Sequence, residues 1–272
     1  MKKRLLMAVI LGFLITVPGI SSAAKKLDNT KVLKALNSLG ISNVKILGIQ
    51  PAPIKNLYLV YVDLGRNGRR AFIITKDTKY IIVGRLLDVT GGGRDLAMEM
   101  GIDKGYFPLP RGRSVNVKVS TVGSPTFGPQ NAPEVVIYYD PFCPFSLREL
   151  RELRPLADEG KIRLVLKYLI INGANARRLA RDSICLYQQG RKKEFWALVF
   201  SKGALASKMK IKCRDNQVEL IELLLTRDGE EARKLQLKGT PSLFIRGKVY
   251  TGFINRLMLE KLLLTGSKSK AK

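Results

Sequence analysis

The apolar run Val135-Val136-Ile137-Tyr138-Tyr139 leads straight into Asp140-Pro141-Phe142-Cys143-Pro144-Phe145-Ser146, and a leucine-rich stretch follows. An unbroken apolar run reads as a strand covered on both faces, which belongs in a sheet with helices on each side. The stretch after the turn, 147 to about 156, predicts a helix. Its first backbone N–H groups have no partner inside the helix and stabilise an anion. A cysteine at such a turn favours the thiolate, which is the reactive form. Three residues on, where a redox pair carries its second sulfur, stands Ser146.

The rest of the composition narrows the chemistry. No histidine occurs among the 272 residues, which removes Ser-His-Asp and Cys-His catalysis and any His-ligated metal site. No metal and no cofactor are expected. The net charge of +26 suits an acidic partner, an anionic membrane surface or nucleic acid. There is no zinc knuckle, no aromatic-studded RNA motif and no densely basic helix, so no nucleic-acid partner is expected. The charge reads as a solvated basic surface.

The N-terminus explains the compartment. Lys2-Lys3-Arg4 precedes an apolar run over 5–17, Pro18-Gly19 breaks it, and Ser21-Ser22-Ala23-Ala24 offers small residues for cleavage. This is the pattern of a secretory signal peptide, and the run is short for a membrane span of roughly 17–25 residues. The expected location is periplasmic or otherwise exported, where disulfides persist.

Four segments are expected: a signal peptide at 1–24, an N-terminal domain at 25–102, a linker at 103–122 and a second domain at 123–272. The first domain reads as a helix over 28–40 followed by strands at 44–49, 57–64, 71–75 and 80–87, a small α+β unit. Such a thin core gains by pairing with a second copy. The linker holds Pro108 and Pro110 and one strand at 115–119. The second domain reads as strand 134–139, the cysteine turn, helix 147–157 and strand 163–170. A helical region over 174–236, strands 242–245 and 249–252 and a last helix near 256–264 complete an α/β layered fold.

Of the three cysteines, Cys185 and Cys213 both fall in the helical insert. An even pair in one subdomain of an exported protein favours a bridge. Two free buried thiols, or a bridge from either to Cys143, are the alternatives.

The strand, the Asp-Pro-Phe-Cys-Pro-Phe-Ser turn and the helix together resemble the active-site turn of the thioredoxin superfamily, and most of all the periplasmic disulfide isomerases of the DsbC/DsbG type. Lys238-Gly239-Thr240-Pro241-Ser242-Leu243-Phe244-Ile245 resembles that family's cis-proline loop. Tyr250-Thr251-Gly252-Phe253 with the leucine-rich helix beyond it resembles the C-terminal end. The stretch from Ile49-Gln50-Pro51-Ala52-Pro53 to Gly84-Arg85-Leu86-Leu87-Asp88 resembles the N-terminal dimerisation domain. The resemblance implies a thioredoxin-like domain with a helical insert, preceded by a cystatin-like dimerisation domain, in a V-shaped homodimer. It implies Cys143 as the attacking thiol within a motif completed by Pro144, Phe145 and Ser146. It further implies Thr240 and Pro241 as the substrate-facing cis-proline loop, and Cys185–Cys213 as the structural disulfide.

Ser146 departs from the family's second cysteine and rules out a dithiol cycle within one motif. Ile137 also stands where many thioredoxin-like proteins place a buried acid. The expected function is therefore monothiol disulfide isomerase or reductase chemistry on misfolded or oxidised exported proteins. Release through an external thiol reductant, such as a membrane electron donor, is expected. Alternatives are a dimeric periplasmic holdase chaperone with a degenerate redox site, and a basic peripheral protein on an anionic envelope surface.

Overall fold

The structure is a computed structural model and describes residues 27–90 and 94–265. The expected signal peptide lies outside the described residues. Two compact units divide between Phe107 and Pro108, so the stretch 103–122 is shared between them.

In the first unit, helix α1 (Asn29–Asn37) starts at Asp28, whose carboxylate accepts from Thr30 N at 2.8 Å. A side-chain oxygen there satisfies one of the helix's unpartnered N–H groups. An antiparallel meander follows: β1 (Lys45–Pro51), β2 (Leu57–Asp63), β3 (Arg69–Thr75) and β4 (Ile81–Ile82). Val32 and Leu36 of the helix join Val60, Val62 and Ile74 in a small core, as the period of the sequence requires. The strand expected over 80–87 is broken instead. Only Ile81 and Ile82 pair with β3, while β5 (Leu87–Asp88) turns away to pair with β6 (Arg94–Asp95). Helix α2 (Leu96–Asp103) was not expected. It begins at Asp95, whose side chain accepts from Met98 N. Beyond it, Tyr106 and Phe107 pack their rings on Tyr61.

The second unit is built on a six-stranded sheet. Its strands are β7 (Arg113–Ser114), β8 (Thr126–Phe127), β9 (Glu134–Tyr139), β10 (Arg163–Tyr168), β11 (Ser242–Ile245) and β12 (Lys248–Thr251), in the spatial order β7-β12-β11-β9-β10-β8. The pair β9 and β10 is parallel and the rest are antiparallel. Helix α3 (Pro144–Asp158) connects the parallel pair. Helices α4 (Gly173–Gln188), α5 (Lys192–Phe200) and α6 (Asp215–Lys234) lie between β10 and β11, and α7 (Arg256–Thr265) ends the unit. The central order β12-β11-β9-β10 with these crossovers is thioredoxin-like, and the three helices are its insert. The expected strand at 115–119 is not one, although Val115, Val117 and Val119 still pack against the sheet.

Residues of opposite parity on β9 face opposite layers. Val135, Ile137 and Tyr139 pack with Leu147, Leu150 and Leu153 of α3, and Val136 and Tyr138 with Ala232 of α6. Because both faces are covered, the strands need no polar alternation. Lys167 breaks the apolar pattern of β10 and is fully buried. Its ammonium contacts Asp228 at 2.8 Å and also Glu231, both on α6. Glu231 in turn accepts from Tyr138 Oη at 3.1 Å and Ser120 N at 3.0 Å, and Asp228 from Tyr168 N at 3.0 Å. Cys185 on α4 is bridged to Cys213 in the irregular stretch before α6, with Cα atoms 5.9 Å apart. Closing a loop of that length stabilises by roughly 3–4 kcal/mol on the chain-entropy model.

Candidate active site around Cys143

Asp140 builds the turn. It is fully buried at the end of β9, and its Oδ1 accepts from Phe142 N at 2.8 Å. Its Oδ2 accepts from Ile171 N at 2.7 Å and Asn172 N at 2.8 Å. One carboxylate therefore fixes both the cysteine turn and the entry to the helical insert. The sequence assigns Asp140 no role of its own, because its partners at 171 and 172 lie in the loop after β10.

The turn delivers Cys143 to the N-cap of α3, with Pro144 at the first helical position. Proline fits there because its missing N–H has no helical partner to lose. Cys143 is partly exposed, and it is the one free thiol among the described residues. Phe145 is 60% exposed, so the motif presents an apolar ring beside the sulfur. Phe142, on the other side, walls a depression of about 130 Å³ whose rim carries Arg178, Asp182 and Lys202.

Opposite the sulfur lies the 238–242 loop. The Thr240–Pro241 bond is cis, and the Cys143 thiol donates to Thr240 O at 3.3 Å. Two hydroxyls complete the setting. Ser146 Oγ and Thr240 Oγ1 are buried and have no hydrogen-bond partner in this thiol form. A thiolate gives both of them an acceptor. Burial pushes the Cys143 thiol up. Hydrogen bonding from the Thr240 and Ser146 side chains, and then from the Ser146 and Phe145 backbone N–H groups, outweighs it, so the net shift is downward. The two hydroxyls thus join the helix terminus, which the sequence already offered, in stabilising the thiolate. Arg148 lies over the Phe253 ring at 4.0 Å and Arg151 over Phe200 at 5.4 Å.

The sequence places no acid at position 137 and shows Glu149 only as a charge on the helix after the sulfur; in the structure Glu149 is fully buried on α3, with Ile254 N donating to its Oε2. Among the described residues no His, Cys, Asp and Glu cluster could hold a metal ion.

If the hydroxyls set the thiolate, removing them raises the thiol pKa. A hydrogen bond to a charged group is worth about 1.5–3 kcal/mol, or about 1–2 pKa units. Ser146→Ala is therefore expected to shift the midpoint of the thiolate absorbance near 240 nm upward by about 1 unit or more. An unchanged midpoint would mean that the hydroxyl does not reach the anion.

The sheet order, the insert, the cis-proline loop and the lone sulfur at a helix start define a thioredoxin-fold protein with a single-cysteine turn. Residues 22–98 match the family model described as disulfide bond isomerase protein N-terminal domain. The chain is 27% identical over 164 residues to the thiol:disulfide interchange protein DsbG of Pseudomonas aeruginosa, a match covering 59% of each chain. It is also 27% identical over 133 residues to DsbG of Escherichia coli K12, covering 48% of this chain and 50% of that one. The chain thus spans 59% and 50% of the length of these curated relatives. Among solved structures, a thioredoxin-like oxidoreductase from Silicibacter pomeroyi superposes with a TM-score of 0.47 at 24% identity, covering 54% of this chain and 94% of that one. BdbD from Bacillus subtilis, in its oxidised form, gives 0.46 at 20%, covering 57% and 98%. These similarities support a DsbC/DsbG-type protein of the thioredoxin superfamily.

Proposed function

We propose that this protein is an exported monothiol thiol–disulfide exchange protein that acts on misfolded or oxidised exported proteins through Cys143. One observation carries the reading: a partly exposed sulfur at a helix start, facing the Thr240 carbonyl with two partnerless hydroxyls beside it. The names of the DsbG relatives support the same chemistry. Among the described residues no helix is long and apolar enough to cross a membrane.

The Cys143 thiolate attacks one sulfur of a client disulfide. A Cys143–client disulfide forms, and the other client sulfur leaves as a thiolate and takes up a proton. In isomerisation the freed client thiol attacks a second disulfide, and a client thiolate finally expels Cys143. No net electrons move. Reduction needs two electrons from an external thiol, which attacks the mixed disulfide, because Ser146 cannot. The Thr240 carbonyl, beside Pro241, lies where an extended client segment can bond.

A second copy of the chain is the proposed partner of the first unit. Tyr80, Ile82, Val83, Leu87 and Val89 are exposed near the short β4 and β5 strands, an apolar group that pairing would cover. The family match over 22–98 supports this assignment.

The decisive measurement is recovery of activity by a scrambled multi-disulfide substrate in a buffer with a low concentration of small thiol. Wild type is expected to accelerate recovery and Cys143→Ala is not. Equal recovery with both would overturn the reading and leave a holdase, whose aggregation suppression survives loss of the sulfur.

A further inference from the structure

The exchange chemistry leaves unexplained a carboxyl on the same helix as the sulfur. Glu149 is fully buried, its Oε2 accepts from Ile254 N at 2.7 Å, and its Oε1 has no hydrogen-bond partner. Ile254 lies just past β12. Two residues earlier, Gly252 N donates to Pro241 O at 2.9 Å. Pro241 follows Thr240, whose carbonyl accepts from the Cys143 thiol. Glu149 is therefore joined to the site from both sides. Its own helix leads to the sulfur, and the 252–254 turn leads to the loop that faces it.

We propose that Glu149 is a positioning residue for Cys143: its carboxyl straps the 252–254 turn, and through it the cis-proline loop, to the helix that carries the sulfur. The inference rests on Cys143 being the reacting group. The strap suits a neutral acid, because among the described residues its one hydrogen bond comes from a backbone N–H and no cation pairs directly with it. On its own helix, Arg148 lies over the Phe253 ring, and Glu152 accepts from Arg256 N at 3.2 Å. The Arg256 guanidinium is held by Glu159 and, on α7, by Glu260.

Burial pushes the Glu149 carboxyl up, the Ile254 N–H draws it down, nearby Glu152 raises it and Arg148 lowers it, leaving it at about 8. The acid thus carries its proton at neutral pH. Six residues along a helix span about 9 Å. At that separation inside a protein, a second negative charge opposes the Cys143 thiolate. The two groups then titrate as a coupled pair. The folded-state pKa lies above the usual carboxylate value of 4.5. The protonated strap's contribution to stability is therefore complete below 4.5 and is lost as pH rises through about 8.

The test measures the rate of iodoacetamide alkylation of Cys143 between pH 5 and 10 in the full chain, disulfide intact, for wild type, Glu149→Gln and Glu149→Leu. Glutamine keeps an acceptor for Ile254 N and cannot ionise. It is expected to match wild type at pH 7 and to show one ionisation. The wild-type profile should be broader, with a second inflection near pH 8. Leucine removes the acceptor and should slow alkylation at pH 7 by about 3–10-fold, the equivalent of one lost hydrogen bond. A Glu149→Leu rate equal to wild type overturns the proposal. Should Glu149→Leu not fold, Glu149→Met, which also gives Ile254 N no carboxyl oxygen to bond, takes its place under the same criterion. Alkylation needs no client, so these outcomes are separate from the failure of disulfide exchange itself.

Discussion

Cys143→Ala leaves the folded chain without a thiol that iodoacetamide can label, and it abolishes capture of oxidised clients as mixed disulfides. The expectation follows from the census of sulfur: of three cysteines, two are joined to each other and one is free. Wild type purified without reductant should take one label per chain. It should also give a client-linked band on a non-reducing gel that collapses with added thiol. Two labels per chain, or a persistent band from Cys143→Ala, would refute the assignment. The same chemistry makes Ser146→Cys informative. Position 146 is fully buried one helical turn from the sulfur, and its Oγ has no partner to lose. A thiol there can attack the mixed disulfide and release the client. The trapped band should then vanish, and a bridge between positions 143 and 146 should appear in its place. Persistence of the band in that variant would show that position 146 does not reach the sulfur.

Lys167→Met is expected to destabilise the second unit by about 3–5 kcal/mol, because it leaves Glu231 buried with no cation and Asp228 with Arg227 alone. Methionine keeps most of the volume, so the loss reports charge and not a cavity. With a domain of this size, the melting temperature should fall by roughly 6–20 °C. Replacing all three residues together by apolar ones of similar volume is expected to cost less than losing the lysine alone, since no unpaired charge then stays buried. A fall of under about 1 kcal/mol for Lys167→Met would place the network among ion pairs of the exposed kind.

Much of this protein is written locally. The strand before the turn, the helix after it and the position of Cys143 at the helix start all follow from residues 135–156. The cis-proline loop came from resemblance, and the Cys185–Cys213 bridge from the even cysteine pair as well as from resemblance; the structure has a cis Thr240–Pro241 bond and a Cys185–Cys213 bond. The broken strand near residue 84 was not legible, because its two halves pair with different neighbours. Helix α2 escaped for a different reason. Its cap at Asp95 follows a glycine triplet that reads as a break in the chain.

The sequence alone determined which sulfur stands at the start of a helix, since that is a statement about neighbouring residues. Only the tertiary structure decided what surrounds that atom. The Thr240 carbonyl is 97 positions from Cys143, Ile254 is 105 from Glu149, and Asp228 is 61 from Lys167. Hydrogen bonds act over about 3 Å, so contacts between such distant positions exist only once the register of β9, β10 and β11 has brought them together. Local propensity carries no information about that register.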